Sequence, residues 1–352
     1  MPHLWDTILF FEYLISMLGH LCHKVRQLWD TLIIRNGGFI MNYVKIVGLD
    51  LGRGYVKAVS NGSMITFPSV IKHETGCLND RLDGVDGRFE LDIDGVGQYT
   101  IGEDAVHISL SHGYSTDSKV DEIAQVLFWS ALSKLFQHDK YVRVNVMLGV
   151  PHDMLSKPVL DEIKKTYLGK SKYIKNITTG FTQQIEINKI SISSEAVAAG
   201  VHIYNQNPQL KKEHYGVATI GYRTTELAFF MPNFKYQPKM SKNIELGNIH
   251  FLSDIARNIG TKLNDRQLDI VENSKLSKEK DNYYSHTAPV VADAIKKEWK
   301  DYDDIMDIYV VGGTAIHLQP YLGSQFKFIS NSQTVVSSGL FLLAQYHLTE
   351  GD

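Results

Sequence analysis

Twice along this chain a short apolar strand runs into a glycine turn and comes back as a second strand. The first instance is Val44-Lys45-Ile46-Val47-Gly48-Leu49-Asp50-Leu51-Gly52-Arg53-Gly54-Tyr55-Val56-Lys57; the second spans residues 215–230, with Gly221 at its turn. β-Branched runs broken by glycine are strand–turn–strand chemistry. Each instance is followed by stretches whose apolar residues recur at three- and four-residue spacing, the period of a helix packed on one side. Strands alternating with helices make an α/β fold, here with two similar halves. The 352 residues, 43% of them hydrophobic, suffice for two ordinary cores, which excludes disorder and fibrous repeats.

Strands are expected at 43–50, 54–60 and 63–71, forming an antiparallel start. The polar, Asp/Gly-rich stretch 74–97 reads as long loops around a short strand. A helix over 120–136, a buried strand over 141–149 ending in Val150-Pro151, and a short strand over 189–193 follow. A helix then begins at once, through Glu195 and Ala199. The second half offers strands at 215–220, 224–230 and 243–246, helices at 249–259 and 288–300, an apolar strand at 308–312 ending in glycines, and a closing helix at 335–346. The division that follows is a helical extension over 1–40, a first domain over 41–200 completed by 335–352, and a second domain over 201–334.

In the first forty residues Leu4, Ile8, Phe11, Ile15, Leu18, Cys22, Val25, Trp29 and Leu32 make one apolar stripe, which predicts one long helix or two with a break near Gly19. Asp6, Glu12 and His20 interrupt the run at a length that barely reaches a membrane span, and no Lys or Arg precedes Leu4. Neither a transmembrane helix nor a signal peptide is expected. Three readings stay open: a helix docking a partner, membrane surface or subunit, a helix folded onto its own domain, and translation from Met41.

Lys plus Arg at 36 against Asp plus Glu at 39 gives a net charge of −3, so there is no bulk electrostatic footprint for nucleic acid. Direct DNA binding is not expected. Two cysteines, Cys22 and Cys77, cannot frame a disulfide fold and suit a cytoplasmic location. Together with His20, His23 and His73 they have no recognised metal-ligand spacing. The segment 275–280 alternates Lys with Ser and Glu and reads as a solvated loop.

Chemistry concentrates in the two turns. Gly52 and Gly54 leave backbone N–H groups bare where a Cβ would block an approaching anion, a phosphate cradle by geometry. Asp50, at the strand end, suits the water shell of a Mg²⁺ ion, and Lys57 adds a point charge from the returning strand. Thr219-Ile220-Gly221-Tyr222-Arg223-Thr224-Thr225-Glu226 is a second such turn, with hydroxyls and a cation. The glycines of Val310-Val311-Gly312-Gly313-Thr314 let a flat base approach the backbone. Gly-x₄-Gly-Lys-Ser/Thr is missing, and no Gly-x-Gly-x-x-Gly leads from a strand into a helix, which argues against P-loop and Rossmann sites.

The order Asp-x-Gly-x-Gly-x-x-Lys at Asp50 to Lys57, Phe67-Pro68-Ser69, Ser194-Glu195-Ala196, Gly221 to Thr225, Gly247 and Gly312-Gly313-Thr314 resembles the actin/Hsp70/sugar-kinase ATPase fold. Within it the chain is similar to bacterial actin-like plasmid segregation proteins of the ParM/StbA type, from Met41 to about Gln345. The resemblance implies two domains, each a mixed five-stranded sheet with helices, around a cleft for ATP and Mg²⁺, with GTP as the other candidate. It implies that Asp50 orders the metal through water, and that Gly52, Arg53, Gly54 and Lys57 wrap phosphates. From the second domain Gly221, Tyr222, Arg223, Thr224 and Thr225 would hold phosphates, and Gly247, Gly312, Gly313 and Thr314 would border the adenosine. Glu195 would orient the attacking water. The implied activity is hydrolysis coupled to assembly into a filament of identical subunits, which moves plasmid DNA through a DNA-binding adaptor of the ParR type.

Two positions depart from that pattern. Thr219 stands where the second turn usually begins with Asp, and Arg53 where a small polar residue is usual, either beside the phosphates or swung to solvent. Two other readings share the fold: a non-polymerising ATPase or small-molecule kinase, whose catalytic acid would be Asp153, and a membrane-associated actin-like scaffold.

Overall fold

The first glycine turn is a hairpin. Strand β1 (Lys45–Leu51) pairs antiparallel with β2 (Tyr55–Ser60), setting Asp50 opposite Lys57, and β2 pairs with β3 (Ser63–Pro68). A single strand is expected over 63–71; instead β4 (Val70–His73) starts anew, because Ser69 leaves the ladder. Its amide donates to the Gly54 carbonyl at 2.9 Å and its hydroxyl to the Gly52 carbonyl, tying the strand break to the turn. The structure, a computed structural model, describes residues 44–73, 88–108, 113–114, 118–258, 277–302 and 306–349. The helix expected within 1–40, both cysteines and most of the polar stretch 74–97 lie outside the described residues.

Onward from β4 come β5 (Glu90–Ile93), β6 (Gly97–Ile101), the short helix α1 (Glu103–Ile108), β7 (Gly113–Tyr114), α2 (Glu122–Leu135), β8 (Tyr141–Val150), α3 (Lys157–Tyr167), β9 (Ser171–Asn176), β10 (Thr182–Ser194) and α4 (Glu195–Gln206). The strands form a ten-stranded sheet in the order β3-β2-β1-β8-β10-β9-β5-β6-β4-β7, twice the number expected. The surplus comes from Asp/Gly-rich sequence, where Gly95 at φ +64° lets β5 and β6 join in a tight turn and pair with β4 and β9. β10 is longer than the expected 189–193 for a related reason. Gln183, Ile185 and Ile187 are buried in alternation, then a bulge after Ile187 shifts the register and Ile190 takes up the inward face. One extra residue breaks a period-two pattern.

The second sheet is built from β11 (Tyr215–Ile220), β12 (Thr225–Met231), β13 (Lys235–Tyr236), β14 (Lys242–Ile244), β15 (Asp307–Val311) and β16 (Phe326–Phe328), in the order β13-β12-β11-β15-β16 with β14 on β12. Its helices are α5 (Asn248–Asn258), α6 (Ser277–Glu298) and α7 (Ala315–Leu318), and α8 (Val335–His347) closes the chain. α6 begins eleven residues before the expected 288, within the segment read as a loop; Pro289, which looks like a first-turn residue in sequence, lies inside it. Both sheets share a centre: a hairpin, β1/β2 or β11/β12, whose first strand is flanked by a parallel strand, β8 or β15. Parallel neighbours require covered faces.

α4 and α8 provide that cover where the sheets meet. Their apolar residues Ala196, Ala199, Ile203, Val336 and Leu340 share one core with Met147 of the first sheet and Tyr215, Val217, Phe230 and Val311 of the second. Val44–Asp352 is accordingly one compact unit. The contact is backbone to backbone: a Cβ on Gly339 would stand 1.7 Å from the Ala198 carbonyl oxygen, and one on Gly48 2.3 Å from that of Ser337. Gly339→Ala must therefore push two helices apart, at a cost of about 3 kcal/mol. Gly313→Ala, where a Cβ meets nothing within 4 Å, leaves stability close to wild type. Urea unfolding of the two variants beside wild type measures the difference.

Candidate functional site

The ends of β1, β11 and β15 and the start of α4 converge on a cavity of about 300 Å³. Asp50, Gly52, Arg53, Gly54 and Lys57 line it from the first turn, Gly221, Tyr222, Arg223 and Thr224 from the second, and Gly312, Gly313 and Thr314 from the end of β15, with Glu195 between. Residues far apart in sequence are thus brought together by two hairpins that present their turns at the same edge.

In the first turn Asp50 is buried, and its Oδ2 accepts from Lys57 Nζ at 2.9 Å across the hairpin. Its Oδ1 is buried with no protein partner. A carboxylate with one oxygen neutralised and the other unmet fits the hydration shell of a hard divalent cation. A Cβ on Gly52 would reach within 2.7 Å of the Tyr55 carbonyl and 3.2 Å of Lys57 Nζ, so only glycine keeps this cradle open. Arg53 stands in the cavity wall rather than swung away, and burial together with the charge of Arg223 lowers its pKa from the ordinary arginine value.

The second turn is closed by the Gly221 amide donating to the Thr224 carbonyl at 2.9 Å, and it is stitched to β15: Thr314 donates its hydroxyl to the Gly221 carbonyl at 3.0 Å. Gly312 adopts φ +104°, and a Cβ there would lie 2.3 Å from the Ile220 carbonyl oxygen. Two expected ligand residues stand behind this turn and do not line the cavity. Thr225 is buried in β12 and gives its hydroxyl to the Leu246 carbonyl at 2.6 Å. Gly247 packs against the turn's back, where a Cβ would be 2.8 Å from Arg223 Cα. Both shape the turn, because strand alternation and a close backbone approach point them away from the cavity. Asp153 is likewise outside the lining, and its Oδ1 accepts from Asn243 Nδ2 at 2.6 Å.

Glu195 is the first residue of α4, capped by Ser194, whose hydroxyl oxygen accepts from Val197 N–H. Burial, then the nearby Asp50 carboxylate, raises its pKa; Lys119, Lys57 and Arg53 act in the opposite sense. Lys119 and Glu226 complete this group and were not singled out in the sequence. Lys119 Nζ lies 3.7 Å from Glu195 Oε1 and donates to the Leu51 carbonyl at 2.8 Å, a meeting of residues 68 positions apart that no local pattern announces. Glu226 had a signal: it ends the second motif, directly across the ladder from Thr219. It is buried and accepts from the Ala196 amide at 3.3 Å. Glu226 does not line the cavity, and the Thr219 hydroxyl, opposite it in the ladder, is buried with no protein partner. Among the described residues no group of three or more His, Cys, Asp or Glu is arranged to hold a metal, and no helix is long and apolar enough to cross a membrane.

Residues 48–197 match the family model of the N-terminal domain of actin-like proteins. A ParM subunit from a 15-stranded Clostridium botulinum filament superposes with TM-score 0.72, over 86% of this chain and 99% of that one, at 20% identity. The chain has the actin-like fold. Bacillus thuringiensis ParM with AMPPNP matches at TM-score 0.65 and 15% identity, over 87% and 99% of the two chains. An archaeal actin homologue in complex with ADP matches at TM-score 0.67 and 16% identity, over 86% and 100%. No curated protein matches the chain in sequence. On the actin-like fold the two turns and β15 of this chain frame the cavity between two sheets.

Burial, and then the charge of Glu195, raise the Glu226 pKa well above the ordinary glutamate value. A carboxyl whose pKa is higher folded than unfolded contributes stability at low pH that is lost as pH rises through the folded pKa. Glu226→Gln, which keeps an acceptor for the Ala196 amide and cannot ionise, therefore melts above wild type near pH 8, with the gap closing towards pH 5. Thermal melts of both proteins across that range check the sign.

Proposed function

We propose that the chain is an ATPase of the ParM type that polymerises with nucleotide and moves plasmid DNA through a separate DNA-binding adaptor. The observation that carries the nucleotide reading is the cavity itself: two glycine turns supply Arg53, Lys57 and Arg223 to its wall, and among the turn residues that line it Asp50 alone opposes them. Such an excess of positive charge between bare backbones suits a polyphosphate. The ADP and AMPPNP in the two solved relatives support the same reading, and the botulinum filament supports assembly.

In this reading Gly52, Arg53, Gly54 and Lys57 embrace the phosphates from one side and Gly221, Tyr222, Arg223 and Thr224 from the other, while Gly312, Gly313 and Thr314 border the nucleoside. Asp50 would hold a hydrated Mg²⁺, which neutralises phosphate charge when bound. Glu195, on the rigid start of α4, orients the attacking water and takes its proton, since phosphoryl transfer depends on positioning and charge stabilisation. Residues 41–200 with 335–352, and residues 201–334, are the halves that close over the nucleotide. A net charge of −3 agrees with DNA being gripped by an adaptor of the ParR type rather than by the filament itself.

Light scattering on addition of Mg-ATP, with Mg-ADP as control and phosphate release in parallel, tests the whole. A nucleotide-dependent rise that later decays is expected; steady hydrolysis with flat scattering across a wide concentration range removes the filament and leaves the ATPase. Glu195→Ala is expected to keep nucleotide affinity and slow phosphate release by about 100-fold or more. Glu195 must be ionised to accept a proton, and its pKa is raised by burial and by Asp50. The rate in wild type therefore falls on acidification at a pH above the ordinary glutamate value of about 4.3, and Glu195→Gln lacks that limb.

A further inference from the structure

Lys119 is a buried cation whose place in the molecule is over-determined. Its side chain is only 7% exposed. Its ammonium donates to the carbonyl of Leu51, the last residue of β1 before the first turn, and stands 3.7 Å from Glu195 Oε1. Its own carbonyl accepts from the Tyr167 hydroxyl at 2.8 Å. Tyr167 is completely buried, with its ring stacked on Phe128 at a 4.0 Å centroid distance and 22° between planes. Backbone and side chain of Lys119 are thus both held, one by α3 and the other by β1.

Burying an ammonium is costly unless a charge or several acceptors answer it, and one carbonyl is a small return. The nearby charge that answers it is Glu195. Around that carboxylate stand Asp50 of β1, whose charge raises its pKa, Glu226 of β12, whose own pKa Glu195 raises, and Lys57 and Arg53 from the hairpin of the first turn. Lys57 is engaged by Asp50 at 2.9 Å. Lys119 stands between Glu195 and the strand end that carries the turn, near the carboxylate of one and bonded to the carbonyl of the other.

We propose that Lys119 is a positioning residue for Glu195, bracing its carboxylate against the Leu51 end of β1 so that it faces the cavity in one orientation. The inference rests on the hydrolase reading and gives that site a residue acting through Glu195. Without the brace, Glu195 faces the Asp50 charge with less to answer it and is pushed towards protonation and away from the turn. A rigid cation there makes the water-orienting group ready before nucleotide enters.

Two substitutions separate the charge from the fold. Lys119→Gln keeps a donor for the Leu51 carbonyl and removes the charge, while Lys119→Arg keeps the charge. Each is made alone and combined with Glu195→Gln, and phosphate release and ATP affinity are measured. Lys119→Gln should slow phosphate release by at least about five-fold with ATP affinity within two-fold of wild type, and should cost nothing further when Glu195 is already Gln. Lys119→Arg should restore most of the rate. A Lys119→Gln variant at the wild-type rate sinks the proposal. Equal and independent losses in both Glu195 backgrounds, or a loss seated in ATP affinity, place Lys119 on the phosphates and also overturn it. Wild-type protein that releases no phosphate removes the hydrolase reading itself, an outcome distinct from additivity in an active enzyme.

Discussion

The joint between α4 and α8 carries the rest of the molecule. Gly339 sits against the Ala198 carbonyl and Gly48 against the Ser337 carbonyl at distances that leave no room for a methyl group. That approach puts the last helix of the chain under the first strand and beside the helix that starts at Glu195. One core then holds residues from both sheets. Were the helices wider apart, the turns of β1 and β11 would no longer face a common cavity.

Charge in the cavity follows a related logic. Three carboxyls, the buried Asp50 and Glu226 and the partly exposed Glu195, stand near one another, an arrangement that like-charge repulsion opposes. Each has its own compensation: Lys57 on Asp50, Lys119 on Glu195, and the Ala196 amide on Glu226. Thr219 lines the cavity without a charge, and Glu226, its strand partner, puts an acid near the start of α4 outside the lining. Arg53 and Arg223, contributed by opposite turns, then face whatever the cavity holds.

Much of this was legible in the residues. Hairpins at 44–57 and 215–230, the strand into Gly312-Gly313, and the helix at Glu195 are local events, dictated by β-branched runs, glycine turns and a Ser194 cap. The turn residues singled out from them, apart from Thr225, line one cavity. What misled was tertiary. β5 and β6 are only four and five residues long within an Asp/Gly-rich stretch and β7 only two, and neighbouring strands complete their ladders. The bulge in β10 hid half a strand, and Pro289 disguised the interior of α6 as its beginning. Thr225 and Gly247 belonged to the right motifs, but the alternation of β12 and the approach of Arg223 turned them to the back.

By itself the amino-acid sequence determined the two glycine hairpins, the carboxylate at the end of β1 and the α/β alternation, because turns and strand periods depend on residues within a few positions of one another. Only the tertiary structure decided which of those residues share a cavity. It also placed Lys119 beside Glu195 and Glu226 behind it, since burial, repulsion and pairing between groups distant along the chain have no value until packing sets the distances between them.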